Sequence, residues 1–197
     1  MQKQELITQM IEENNGYLFT SDVVARGISK TYLAEYVRKF NLERAAHGIY
    51  LSQDAWPDFL YLLYLKNRNI VFSHETALFL HGLMEKEPSE ITVTVKRGYN
   101  ATHLREKSVH VSQIKQKWFP VGIEMKSTGF GNKVAVYDMD RTICDVIRNR
   151  KSMDIQVFGT AMKEYIRNDK KNLSNLMQYA KEFKIEESVR SYIAVMM

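Results

Sequence analysis

At 197 residues, 45% of them hydrophobic, the chain is long and apolar enough for one ordinary folded domain or two small ones. A formal net charge of +5, from 28 Lys and Arg against 23 Asp and Glu, favours an anionic partner without requiring one. The single cysteine, Cys144, excludes an internal disulfide; with no apolar leader and no apolar run near the length of a membrane span, a cytoplasmic chain without membrane contact is expected.

Gln4 to Asn14 carries Leu6, Ile7, Met10 and Ile11 at helical spacing and stops at Asn14, Asn15 and Gly16. From Gly16 to Tyr50 the order reads short helix, tight turn, second helix, hairpin, the outline of a winged helix-turn-helix. Thr20 or Ser21 is placed to accept from the free amides of the short helix, and Asp22 suits its positive end. Gly27 supplies a positive φ at the turn, and Ser29 caps the second helix. There Leu33, Val37 and Phe40, with Tyr36 beside them, are expected to face the core.

Lys30, Thr31, Ala34, Glu35 and Arg38 remain on the opposite face, flanked by Tyr32 and Lys39. Donors and small residues suit base edges in a groove, and the carboxylate suits a cytosine amino group. Leu42 to Leu51 alternates around His47 and Gly48 as a two-stranded wing would, which sets Arg44 and His47 near phosphates. A helix-turn-helix used for packing or protein contact is the competing reading. Charge does not separate the two, because Lys3, Arg26, Lys30, Arg38, Lys39 and Arg44 are matched by Glu5, Glu12, Glu13, Asp22, Glu35 and Glu43.

Ser52 to Pro57 is the expected domain boundary, with Asp54 capping the next helix and Pro57 in its first turn. Phe59 to Leu65 is apolar almost all round, so that helix is expected to be buried on more than one side and to bridge two domains. After a short apolar run, Ile70 to Phe72, Ser73 caps a helix closed by Gly82. His74 and His81 on it stand a heptad apart, not the one-turn spacing of a helical zinc pair, so both read as helix-end caps and neither a metal nor another cofactor is expected.

Ile91–Val95, Val109–Ile114, Ile123–Thr128 and Lys133–Tyr137 read as strands of a mixed or antiparallel sheet of about four. The excess positive charge lies in this region. Lys96, Arg97, Arg105, Lys107, Lys115, Lys117, Lys126 and Lys133 meet only Glu106 and Glu124, with Tyr99, Trp118, Phe119 and Phe130 interleaved. Either a second basic surface for nucleic acid or an acidic partner, or a sheet edge protected by lysines, accounts for it.

The last third reads as helices: one from Asp138 through Ile147, Asp154 to Ile166, Asn172 to Ala180, and Ile185 to Met197. At its start, Asp138, Asp140 and Thr142 follow a strand in the Asp-x-Asp-x-Thr spacing with which haloacid-dehalogenase phosphatases open, where two aspartates serve as nucleophile and acid/base around magnesium. The helices that follow have no strands between them, and a parallel nucleotide fold cannot be built from them. Helix capping is the alternative, with Asp138 at the N-cap, Asp140 in the first turn and Arg141 bridging outward. No catalytic residues are assigned.

The whole chain resembles the AbiEi family of antitoxins and transcription factors. The carriers in the first part are Gly16–Val23, Gly27–Ile28 and Arg44–Tyr50. More specific are Phe72–Leu83, Ile91–Val95 with Gly98–Asn100, Val136–Asp145, Ala161–Tyr165 and Leu176–Lys181. The chain departs from the pattern at His47, where a permanent cation is more usual, and at Asn41, where a glycine often precedes the wing. The resemblance implies an α+β protein: a winged helix-turn-helix over residues 1–52, then a C-terminal antitoxin domain, 53–197, with a sheet over about 91–137 and helices over 138–197. It implies repression of its own operon through inverted repeats in double-stranded DNA upstream. It also implies a co-encoded nucleotidyltransferase-like toxin, countered without a stable complex as in type IV abortive-infection systems. A stand-alone regulator whose C-terminal domain senses a ligand or protein, and a magnesium phosphatase on Asp138 and Asp140, are the alternatives.

Overall fold

The computed structural model describes residues 2–196. It is an α+β protein with two small sheets and a helical C-terminal region. The chain divides into two compact units: one runs to Arg68 and takes in Ser127–Lys133, and the other comprises Asn69–Lys126 and the chain from Val134 onward.

The first unit contains α1 (Lys3–Glu13), β1 (Tyr17–Phe19), α2 (Thr20–Ala25), α3 (Lys30–Lys39), β2 (Glu43–Ala46), β3 (Ile49–Leu51) and α4 (Phe59–Lys66). The antiparallel sheet runs β1-β3-β2. Ile7 and Met10 of α1 pack with Leu18, Val23, Ile28, Leu33, Tyr36 and Leu42 into its core. α1 ends where Asn15 and Gly16 both take positive φ. A Cβ at Gly16 would run into the Ala55 side chain, so close approach as well as φ requires glycine there.

Local chemistry sets α3 as expected. Gly27 turns the chain at φ +77°, and the Ser29 hydroxyl accepts from the Tyr32 amide at 3.2 Å. α2 differs: neither Thr20 nor Ser21 caps it. The Thr20 amide donates instead to the Gly48 carbonyl at 2.8 Å, so strand pairing sets the start of that helix. Phe40 is also displaced from its expected place in the core. It lies at the exposed edge, its ring 4.4 Å from that of Tyr36.

The first compact unit runs past Ser52 to Arg68, and Asp58 ties α4 into it. Asp58, not Asp54, caps α4, accepting from the Tyr61 amide at 3.0 Å. Its other carboxylate oxygen accepts from Thr128 Oγ1 at 2.5 Å and Asn132 Nδ2 at 2.9 Å. Its own amide donates to the Tyr17 hydroxyl at 2.9 Å. One buried residue thereby joins β1, through its amide, with α4 and the Ser127–Lys133 segment, through its carboxylate. α4 is not buried on several sides: Phe59 is 73% exposed and Leu60 to Leu65 are half-buried.

The second unit holds β4 (Val71–Phe72), α5 (His74–Leu80), β5 (Ile91–Lys96), α6 (Thr102–Arg105), β6 (Val109–Ile114), β7 (Ile123–Ser127), β8 (Lys133–Tyr137), α7 (Met139–Arg148), α8 (Ile155–Arg167), α9 (Leu173–Glu182) and α10 (Glu186–Met196). The sheet is mixed, with order β6-β5-β4-β8-β7. β4 is antiparallel to β5 and parallel to β8, and β5 is parallel to β6. The expected four strands are present, and Val71–Phe72 adds a fifth at the centre. Asp138, Asp154 and Asn172 cap α7, α8 and α9 with their side chains. Ser73 holds the N-cap position of α5 without capping it. There Thr92 Oγ1 accepts from the Thr76 amide at 3.0 Å and Thr76 Oγ1 accepts from the Thr92 amide at 2.8 Å, a reciprocal pair that fixes α5 to β5.

Arg141 does not bridge outward. It is fully buried. Its guanidinium lies 4.0 Å from the Tyr137 ring centroid and 4.2 Å from that of Phe183. It donates to Asp145 at 3.0 Å and to the carbonyls of Trp118 and Val121 at 3.1 and 2.6 Å. Asp145 is itself paired with Arg148 at 2.7 Å. Gly122, at φ +76°, gives Arg141 room: a Cβ there would come within 2.8 Å of the Arg141 Cβ. Arg141→Ala takes one of two cations from a buried carboxylate and leaves two carbonyls without their donor, so it is expected to cost about 3 kcal/mol. The urea midpoint measures this, and a midpoint within error of wild type would contradict the assigned role.

Candidate nucleic-acid interface

α3 has two unlike sides. Leu33 and Tyr36 are buried and Val37 half-buried, while Lys30, Thr31, Ala34, Glu35 and Arg38 are exposed. Ser29, Gly27 and the Leu33 contact to the α1 core set that rotation. Tyr32 is half-buried, with Lys3 Nζ 5.8 Å from its ring centroid. Lys39 turns back to α1, donating to Gln4 Oε1 at 3.2 Å. Both flank the exposed face, and both are engaged with neighbours.

The β2–β3 hairpin carries Arg44 and His47, both exposed, with Arg44 Nη2 3.2 Å from His47 Nδ1. Arginine only donates, so this contact needs Nδ1 as an acceptor on a neutral ring. Protonation would remove the acceptor and leave two adjacent cations. Asn41, just before the hairpin, takes φ +51°, the left-handed conformation a glycine would otherwise supply.

The eight basic residues of the middle region separate. Lys96 lies over the Phe119 ring, and Lys115 and Lys117 over Trp118, at 5.2, 4.9 and 5.4 Å, with Arg97 next to them at the end of β5. Glu182 sits at this corner too, accepting from Trp118 Nε1 at 2.9 Å. Arg105 and Lys107 are on and just after α6, Lys126 is half-buried on β7, and Lys133 falls in the first unit.

The Asp-x-Asp-x-Thr residues all have partners. Asp138 accepts from the Arg141 amide at 2.7 Å and from the Tyr179 hydroxyl at 2.5 Å. Burial pushes its carboxyl up, against these bonds, which lower it. Asp140 accepts from Tyr165 at 2.7 Å, from the Asn172 amide at 3.1 Å and from Asn175 at 3.0 Å. Thr142 donates to the Tyr137 carbonyl at 3.0 Å. These bonds tie α7 to α8 and α9. Burial pushes the Cys144 thiol up to about 12, away from a reactive thiolate.

His74 is the first residue of α5 and His81 its C-cap, but the side chains of both are turned to other partners. His74, at φ +47°, contacts Ser73 Oγ at 3.0 Å and Asn149 Nδ2 at 2.6 Å. His81 Nε2 lies 2.7 Å from the Tyr137 carbonyl, to which it can only donate. Burial lowers both below the ordinary histidine value.

Sequence reasoning missed a cleft of about 930 Å³ in the second unit, walled by α5, β5, β6, α8 and the segments around residues 82–90 and 149–154. Its lining comes from many separate stretches, and the acidic run Glu85, Glu87 and Glu90 was the one signal of it in the sequence.

No family model matches the chain, and no curated protein does. Among solved structures, the crystal structure of the RV2827C protein from Mycobacterium tuberculosis is similar to it. The TM-score is 0.57 and the identity 9%, over 89% of this chain and 70% of that chain. At that identity the likeness concerns the fold alone.

Folding stability is expected to fall as pH drops from about 7.5 to about 5.5. His74 and His81 have depressed values in the fold, so the unfolded chain takes protons first. Their contribution is present above the unfolded value, near 6.5, and is lost as pH falls through the folded value, by at most about 1.4 kcal/mol per pH unit for each. Urea melts across this range should show a shallower fall in His81→Gln, whose amide can still donate to Tyr137. An unchanged slope would contradict the burial of a neutral His81.

Proposed function

We propose that this protein is an AbiEi-type antitoxin that also represses its own operon. In this reading the first unit is a winged helix-turn-helix, with α2 and α3 as the helix pair and β2–β3 as the wing. Lys30, Thr31, Ala34 and Arg38 read base edges or phosphates in inverted repeats of double-stranded DNA, and Arg44 and His47 contact backbone from the hairpin. The carrying observation is the two-sided α3: every one of its four proposed readers is exposed, while Leu33 and Tyr36 on its other side anchor it in the core. The second unit counters a co-encoded nucleotidyltransferase-like toxin in the cytoplasm without a stable complex and without a catalytic step of its own.

The cleft in the second unit favours one alternative, a stand-alone winged-helix regulator with a ligand-sensing C-terminal domain. A gene neighbour encoding a nucleotidyltransferase separates the two readings. A magnesium phosphatase on Asp138 and Asp140 is the weaker alternative, since the ion would have to displace Tyr165, Asn175 and the Asn172 amide from Asp140.

The test is binding to the DNA upstream of the gene, titrated at several salt concentrations beside a scrambled duplex. Site-preferring binding with a steep salt slope is expected. Lys30→Ala with Arg38→Ala should weaken it about 30-fold or more, from about 1–3 kcal/mol per base-edge contact. Operator affinity unchanged in that double variant would remove α3 as the reading element.

A further inference from the structure

The cleft carries a charge opposite to that of the molecule. Six carboxylates line it, from Glu75, Glu85, Glu87, Glu90, Asp154 and Glu164, and Lys86 is the one Lys or Arg among its lining residues. The chain as a whole holds 23 acids and 28 bases, so this is strong segregation. Among the described residues no three His, Cys, Asp or Glu side chains converge closely enough to hold a metal ion. The carboxylates are instead spread along the walls: Glu75 lies in the first turn of α5, Glu164 on α8 with Arg167 3.7 Å away, Asp154 at the α8 cap, and the others on the 82–90 segment.

Between the charges the lining is apolar or hydroxylic. Leu83, Met84, Met153 and Val157 supply methyl and methylene surface, and Ser112, Ser152 and Thr160 supply neutral acceptors. A volume of about 930 Å³ is at the upper end of small-molecule sites, and mixed apolar walls with a few polar groups are their usual chemistry. Carboxylates at intervals along an apolar trough fit one ligand class well: a slender chain of methylenes with ammonium groups at intervals.

We propose that this cleft binds an aliphatic polyamine. Ammonium groups donate to the spaced carboxylates and hydroxyls, and the methylene segments lie against the methionine, leucine and valine side chains. The walls come from four elements and two connecting segments of one unit, and the Thr76–Thr92 pair fixes two of those elements, α5 and β5, to each other. The inference is independent of operator recognition by α3.

Spermidine titrated into the full-length, DNA-free protein by calorimetry tests this. Saturable single-site binding is expected, with a matching rise in Tm. Glu87→Gln with Glu90→Gln, on an exposed segment, should weaken it about tenfold, or about 1.4 kcal/mol. Glu75→Gln with Glu164→Gln should do the same from the helical walls. Lys30→Ala with Arg38→Ala should leave it unchanged, which keeps this result separate from the fate of the DNA-binding reading. Absence of saturable binding overturns the proposal, as does equal affinity in both cleft variants. A tetra-arginine peptide that binds where spermidine does not would assign the cleft to a basic protein segment and also overturn it.

Discussion

The second unit depends on how Arg141 is buried. Removing a guanidinium from water is costly unless its charge and its donors are all met. Here a carboxylate meets the charge at Nε, two backbone carbonyls accept from Nη1, and two aromatic rings cover the planar faces, while the buried Nη2 has no hydrogen-bond partner. A lysine has neither the flat faces nor the fork of donors. The requirement spreads outward: Gly122 must lack a side chain, Asp145 must also be paired with Arg148, and the chain must present the carbonyls of Trp118 and Val121 inward. The β8–α7 junction is therefore built around one cation. Asp138 and Asp140 then use the same junction to hold α9 and α8, through Tyr179 and Tyr165.

That arrangement shows where sequence reasoning reaches and where it stops. Some signals that act within one turn of chain were legible: Ser29 and Asp138 cap their helices because a short polar side chain reaches the next free amide, whereas Thr20, Ser21 and Ser73 in similar places do not. Signals that depend on distant partners were not. Asp54 and Asp58 flank the same proline and look alike in sequence, and only Thr128 and Asn132 single out Asp58. Arg141 three residues after a cap looks like a surface arginine until Trp118 and Phe183 are brought to it. Val71–Phe72 is too short for a period to be seen, yet it lies between β5 and β8. For the proposed interface the exposed face of α3 was legible from spacing alone, whereas the backward turn of Lys39 to Gln4 was not.

Charge placement adds a second layer to the fold. A net charge of +5 says little by itself. Its distribution says more: lysines gather at the Trp118 and Phe119 corner, and carboxylates gather along the cleft of the same unit. Like charges held together raise the energy of the folded state. Each cluster holds some opposite charge, Glu182 at the corner and Lys86 in the cleft, but too little to balance it.

The same reasoning weighs the functional readings of the chain. A side chain that holds the structure together is released to a ligand only at the cost of the bonds it gives up. Asp138, Asp140 and Thr142 each hold at least one such bond, and Asp140 holds three, so the phosphatase-like spacing is already employed in joining helices. Lys30, Thr31, Ala34 and Arg38 stand the other way. They sit exposed on a helix whose cap, turn and buried side fix its orientation without them. Exposed residues on a helix that other side chains anchor suit a recognition surface, because contact with a partner then competes with no bond that holds the helix in place.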